Sequence, residues 1–151
     1  MKLTRKTIHA FLEPRKLAIA GVSRNPKKFG FAVFDELKKK GFDLYPVNPN
    51  ADTIGETACY RSVADLPPAV GHILIVTPRK LTLDLLKESV ARGIRNIWIQ
   101  QMSETQESLD FAKDNGVNLI SKQCIMMWAE PVKSFHKFHR SVKGFFGLLP
   151  R

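Results

Sequence analysis

The sequence predicts a three-layer α/β fold: a mostly parallel, doubly wound sheet of about five strands, with helices on both faces and helical additions at both termini. Three observations predict it. Short apolar runs that read as strands alternate with amphipathic segments that read as helices. The helices close on glycine before the next strand, at Gly41, Gly93 and Gly116. The strand runs are continuously apolar, as strands covered on both faces are.

The elements follow in order. Residues 3–13 (LTRKTIHAFLE) form a short helix with Ile8, Phe11 and Leu12 on one side and Pro14 as its stop. LAIAGV, 17–22, is the first strand. Residues 29–40 place Phe29, Ala32, Val33, Phe34 and Leu37 at helical spacing, and Gly41 caps them. FDLYPVNP, 42–49, is the second strand. The stretch 51–70 lacks a long periodic segment; Gly55 and Pro67-Pro68 punctuate it as a loop with at most one short helical turn. GHILIVTP, 71–78, is the third strand, 81–92 an amphipathic helix, and IRNIWIQ, 94–100, the fourth strand. Residues 104–115 give a further helix and VNLIS, 117–121, the last strand.

Organisation follows from this: an N-terminal helix over 1–14, the sheet domain over 15–125, and a basic-aromatic helical extension over 126–151. From Val132 onward there is no acidic residue. Val132, Phe135, Phe138, Val142, Phe145 and Leu149 form one helix stripe, and Lys133, Lys137 and Arg140 fall on another. Pro131 suits a helix start. An apolar stripe usually faces a core, so the extension is expected to pack on the domain or on a partner subunit, giving a homodimer; nucleic acid and membrane are the less favoured contacts.

A chain of 151 residues can bury a core without disulfide staples. The formal net charge of +10 favours an anionic partner. The two cysteines, Cys59 and Cys124, lie far apart and form no C-x-x-C pair, which argues against a zinc ribbon or a secreted framework. With no signal-peptide run and no bilayer-length apolar stretch, the expected location is the cytoplasm.

In an open parallel sheet, ligands bind outside the carboxyl ends of the strands, where the strand order reverses. Gly21-Val22-Ser23-Arg24 follows the first strand, Val47-Asn48-Pro49 the second and Thr77-Pro78-Arg79-Lys80 the third. Gly21 lets backbone approach a phosphate, and Ser23 offers a hydroxyl. The helix opening at Phe29-Gly30 offers N–H groups and a positive dipole end, with Arg24, Lys27 and Lys28 around it. A solvated basic loop is the plain alternative. A nicotinamide dinucleotide site usually carries an acid at the end of the second strand. Asn48 and Pro49 stand there instead, and a neutral residue near Arg24, Lys28 and Lys80 does not repel a ribose phosphate. Coenzyme A, with a diphosphate and a ribose 3′-phosphate, asks for this positive charge; Asn48-Pro49-Asn50 as a mere turn is the alternative.

Taken together, GVSRNPKKFG, YPVNPN and IVTP resemble the CoA-binding domain family from about Arg15 to Cys124. These are small Rossmann-like proteins similar to the CoA-binding domain of the succinyl-CoA synthetase α subunit and of acyl-CoA synthetases. The resemblance implies that the backbone of 21–24 and Ser23 hold the diphosphate. It further implies that Asn48 and Pro49 flank the adenosine and that Thr77 and Pro78 line the opposite side. The function expected is non-covalent binding of CoA or an acyl-CoA. The cofactor-binding set is Gly21, Val22, Ser23, Arg24, Lys28, Phe29, Gly30, Val47, Asn48, Pro49, Thr77, Pro78 and Lys80.

One departure stands out. After the fourth strand the family tends to have Gln, an apolar or Pro residue, then Gly; this chain has Gln100-Gln101-Met102. Met102 could narrow the crevice or merely cover apolar surface. The synthetase relatives pass phosphate through a histidine elsewhere in their chains, whereas His72 precedes a strand, at the wrong end of the sheet. His136 and His139 lack further ligands at metal spacing. Cys124 ends the fifth strand, where a small buried hydrophobe is the commoner role than a reactive thiol. No nucleophile–base pair appears at recognisable spacing, so a binding module is expected in preference to an independent synthetase. The rivals are an NAD(P)-dependent oxidoreductase or redox sensor, and a nucleic-acid-binding protein using the basic tail.

Overall fold

The computed structural model describes residues 3–129. The chain runs α1 (Arg5–Leu12), β1 (Lys16–Ala20), α2 (Phe29–Lys39), β2 (Asp43–Val47), β3 (Thr53–Ile54), β4 (Thr57–Ala58), β5 (His72–Ile75), α3 (Arg79–Ala91), β6 (Asn96–Gln100), α4 (Gln106–Asp114) and β7 (Asn118–Gln123), with short 3₁₀ turns at Val63–Asp65 and Ile125–Met127. The main sheet has five strands in the order β2-β1-β5-β6-β7. All its pairings are parallel. The chain moves from β1 outward to β2, then returns past β1 to β5, so the order reverses between β1 and β5. This is a doubly wound, Rossmann-like α/β fold, and its switch point lies at that reversal.

Two cores sandwich the sheet, and the pleat of β1 assigns its residues between them. Leu17 and Ile19 join Ile8, Phe11, Val33, Phe34, Leu37 and Trp98 under α1 and α2. Ala18 and Ala20 join Ile73, Ile75, Leu86, Ile97, Ile99 and Ala112 under α3 and α4. Successive strand residues point to opposite faces, so strands covered on both sides must be apolar at every position. Phe11 fixes α1 to the sheet, edge-on to Trp98 at 5.5 Å and to His72 at 5.1 Å between ring centroids. Thr4 and Thr105 cap α1 and α4 through reciprocal bonds with Thr7 and Ser108, satisfying otherwise orphaned helix N–H groups. Beneath the end of α2, Lys40 Nζ donates to Ala129 O at 3.1 Å.

The structure refines the expected boundaries in three places. The stretch expected as a loop with one helical turn holds that turn and also a two-stranded antiparallel hairpin, β3–β4, each strand two residues long. Strands so short show no period-two pattern to read. β2 stops at Val47, before Asn48 and Pro49. β7 runs past Ser121 to Gln123 through a register shift against β6, with Lys122 at φ 60°. The extension expected over 126–151 lies mostly outside the described residues, as do its dimer contact, His136 and His139. Among the described residues, no helix is long and apolar enough to cross a membrane. No group of three or more His, Cys, Asp or Glu is placed to hold a metal there.

Candidate functional site

The loops after β1, β5 and β6 enclose a cleft of about 450 Å³ at the switch point. Gly21, Ser23, Lys28, Phe29 and Gly30 form one wall, Val76, Thr77 and Pro78 the middle, and 100–103 the far wall.

Two glycines bring the first two walls into contact. Gly21 has φ 103°, and a Cβ there would lie 2.1 Å from Val76 O. A Cβ on Gly30 would lie 2.3 Å from Gly21 O. The turn of β1, the first turn of α2 and the end of β5 are thus packed backbone to backbone, which only residues without side chains permit. The basic loop between the glycines is ordered by its own polar groups. Ser23 Oγ accepts from Asn25 N–H at 3.0 Å, Asn25 Oδ1 accepts from Lys27 N–H at 3.0 Å, and Lys28 N–H donates to Asn25 O at 3.0 Å. Since Ser23 Oγ accepts in this turn, its own hydrogen remains available to an acceptor in the cleft. No side chain caps α2 at Lys28. The positive end of that helix opens onto the cleft, where it favours an anion.

The middle wall has the opposite hydrogen-bonding character. Thr82 is wholly buried beneath it and donates to Ser103 O at 2.7 Å. Its oxygen lies 3.1 Å from Thr77 Oγ1. Thr82 has one hydroxyl hydrogen, already committed to Ser103, so Thr77 must be the donor in the second bond. Thr77 therefore offers the cleft only acceptor lone pairs, a poor neighbour for phosphate oxygens and a good one for a ligand N–H or O–H.

On the far wall, Ser103 N–H donates to Gln100 O at 2.9 Å, closing a tight turn with Met102 at φ 74°. Gln100 is 1% exposed; its Oε1 accepts from Ile125 N–H at 3.1 Å, and its side-chain amide stands against the buried thiol of Cys124. Gln101 Oε1 is buried without a hydrogen-bond partner. Cys124 is fully buried, and burial pushes its thiol pKa up, with the nearby Gln100 side chain partly offsetting this. That environment keeps Cys124 a thiol.

The structure gathers Gly21, Ser23, Lys28, Phe29, Gly30, Thr77 and Pro78 around the cleft. The other predicted residues stand apart from its lining. Val22 and Val47 are buried in the core. Asn48 lies beneath the loop: its Nδ2 donates to Val22 O at 2.8 Å and its Oδ1 accepts from Asn50 N–H at 2.8 Å. Pro49 O accepts from Arg61 at 3.1 Å. Arg24 and Lys80 are exposed. Sequence reasoning did not assign Val76, Gln100, Gln101 or Ser103 to the site. Their signal is the strand order, which places the end of β6 two strands from β1, and strand order is not written in local periodicity.

With this geometry in place, comparison with known proteins is decisive: the model of a family described as CoA binding domain matches residues 15–130. The chain belongs to the CoA-binding domain family. It is 34% identical over 118 residues to an ADP-forming acetate–CoA ligase II of Archaeoglobus fulgidus, covering 70% of this chain and 18% of that one. It is 30% identical over 126 residues to the α subunit of an ADP-forming acetate–CoA ligase II of Pyrococcus furiosus, covering 76% and 28%. The match therefore spans under a third of these two relatives' length. A solved conserved hypothetical protein of P. furiosus is 42% identical, with a TM-score of 0.73 over 75% of this chain and 97% of that one. A hypothetical protein of Pyrococcus horikoshii is 28% identical, with a TM-score of 0.78 over 85% and 91%.

Proposed function

We propose that this protein binds CoA or an acyl-CoA non-covalently in the cleft at the switch point, acting as a small binding module. The observation that carries the reading is the convergence on one hollow of Ser23, Lys28 and the uncapped start of α2. Together they supply a hydroxyl donor, a full positive charge and a helix dipole to one anion, the requirement of a diphosphate. Exposed Arg24 and Lys27, on the loop after β1, add positive charge beside the cleft for a ribose phosphate. The absence of an acid at the end of β2 favours a phosphorylated ribose over NAD. A solved relative nearly all of whose length this chain matches supports a module that stands by itself. Two free cysteines suit a cytoplasmic protein.

Titration calorimetry with CoA, dephospho-CoA, NAD and NADP tests the reading. CoA should bind tightest, and dephospho-CoA at least about tenfold more weakly if the ribose phosphate meets positive charge. Binding of NADP alone would overturn the assignment in favour of a nicotinamide site.

A further inference from the structure

Met102 occupies a position whose backbone asks for glycine. The bond from Ser103 N–H to Gln100 O at 2.9 Å closes a four-residue turn, and Met102 is its third residue. Its φ is 74°, while Gln101 is not among the residues with positive φ. That combination is the pattern of a type II turn, in which the third position is normally glycine or asparagine because a Cβ there crowds the backbone. A long unbranched side chain held in this conformation is costly, and such cost is characteristically retained at ligand clamps. The side chain is not secured by burial, since Met102 is 51% exposed, one of few large apolar residues so placed among the described residues. It contributes to the far wall of the cleft beside Gln101 and Ser103.

The sheet order says which part of a ligand would meet it. The anion-binding groups, Ser23, Lys28 and the start of α2, stand over β1, and β5 separates β1 from β6. Adjacent strands are about 4.8 Å apart, which puts the β6 loop about 10 Å from the β1 loop along the sheet. In doubly wound folds the adenosine of a bound nucleotide lies toward the second strand of the first βαβ unit, here β2. A diphosphate over β1 therefore sends the opposite arm across β5 toward β6, where its thiol end reaches Met102.

We propose that Met102 is a specificity-determining residue that narrows the thiol end of the cleft, so that the protein takes free CoA or short acyl thioesters and rejects long-chain ones. The inference rests on the CoA reading and adds the acyl class to it. The methionine side chain projects from the far wall of the cleft, where its bulk would meet an extended alkyl chain, and its apolar thioether makes no hydrogen bond that an acyl carbonyl could exchange.

The test is titration calorimetry of wild type, Met102→Ala and Met102→Gly with CoA, acetyl-CoA and octanoyl-CoA. Wild type should bind CoA and acetyl-CoA comparably and octanoyl-CoA at least about tenfold more weakly, within the range a crowded apolar pocket discriminates. Both variants should recover octanoyl-CoA affinity relative to CoA. Met102→Ala isolates side-chain size, because alanine keeps the Cβ. Met102→Gly should in addition raise the unliganded melting temperature by relieving the turn. Equal binding of all three ligands by wild type, or an octanoyl-to-CoA ratio unchanged in both variants, overturns the proposal while leaving CoA binding intact. Failure of wild type to bind any of the three removes the CoA reading itself, and this inference with it.

Discussion

The carboxamide of Asn48 donates to the carbonyl oxygen of Val22 at 2.8 Å, so the end of β2 holds the loop that leaves β1. The other end of the same carboxamide is fixed, with Oδ1 accepting from Asn50 N–H at 2.8 Å. Asn48 thus bears on the cleft through the backbone of the basic loop after β1. Asn48→Asp would set a carboxylate oxygen against Val22 O and a negative charge beneath a basic loop. It should cost about 1–3 kcal/mol in a urea melt, the loss expected when a hydrogen bond is replaced by opposed acceptors. CoA affinity should fall further than in Asn48→Ala, which loses the bond without adding charge. Equal affinities for the two variants would show that charge at this position is irrelevant.

Gly30 should be intolerant of the smallest change. A methyl group there would meet Gly21 O at 2.3 Å, and both partners are backbone with no rotamer to yield. Gly30 lies in the first turn of α2, where alanine ordinarily favours a helix by up to about 1 kcal/mol. The clash should reverse that preference, with Gly30→Ala destabilising by about 2–3 kcal/mol, as overpacking does, and weakening CoA binding. Gly71 is the control. It is not in the left-handed region, and nothing lies within 4 Å of a Cβ built on it, so Gly71→Ala should change stability by less than about 0.5 kcal/mol.

Thr82 touches no open surface, yet it sets the direction of the Thr77 hydroxyl. Thr82→Val keeps the shape and removes the oxygen. Ser103 O then loses its 2.7 Å donor and Thr77 its acceptor, at a cost of about 1–3 kcal/mol for unsatisfied groups in a buried setting. Freed from Thr82, the Thr77 hydroxyl can turn its hydrogen into the cleft. A ligand that donates to Thr77 should bind more weakly, and Thr82→Ser, which restores the hydroxyl, should recover most of the loss. Unchanged CoA affinity in Thr82→Val would remove Thr77 from the ligand contacts.

The fold was largely legible because each of its layers writes a local pattern. The unbroken apolar runs of β1, β5 and β6 announce strands buried on both faces, and Gly41, Gly93 and Gly116, all at positive φ, mark the helix ends. The wall built on Gly21, Ser23 and Gly30 was legible for the same reason, since a strand, a glycine and a helix start fall within one short segment. The far wall was legible only through the family resemblance, which drew attention to Gln100-Gln101-Met102. Gln100 and Gln101 become site residues only because β6 lies next to β5 in the sheet, a long-range pairing with no local mark. Asn48 shows the converse. Its place at the end of β2 was read correctly, but its carboxamide is taken up by Val22 and Asn50, which periodicity does not reveal.

At the opposite end of the sheet, His72 should make stability depend on pH. Its ring packs edge-on against Phe11 at 5.1 Å. The small cavity beside it, about 170 Å³, is lined by Thr7, Ala10, Phe11, Asn96, Asn118 and Ile120, none of them charged. Burial therefore lowers its pKa below the usual 6.5. The folded state prefers the neutral ring, while the unfolded chain takes up the proton first. The contribution of His72 is fully present above about pH 6.5 and is lost as pH falls through the lower, folded value. Comparing urea melts at about pH 7 and pH 5, wild type should lose more stability than His72→Gln, whose side chain does not titrate. Protonation also places a charge against Phe11, so amide exchange in α1 should accelerate in wild type over the same interval and not in the variant. Parallel pH profiles for the two proteins would mean that the unfolded chain and the folded chain hold this proton equally well, and that the packing of Phe11 does not desolvate the ring.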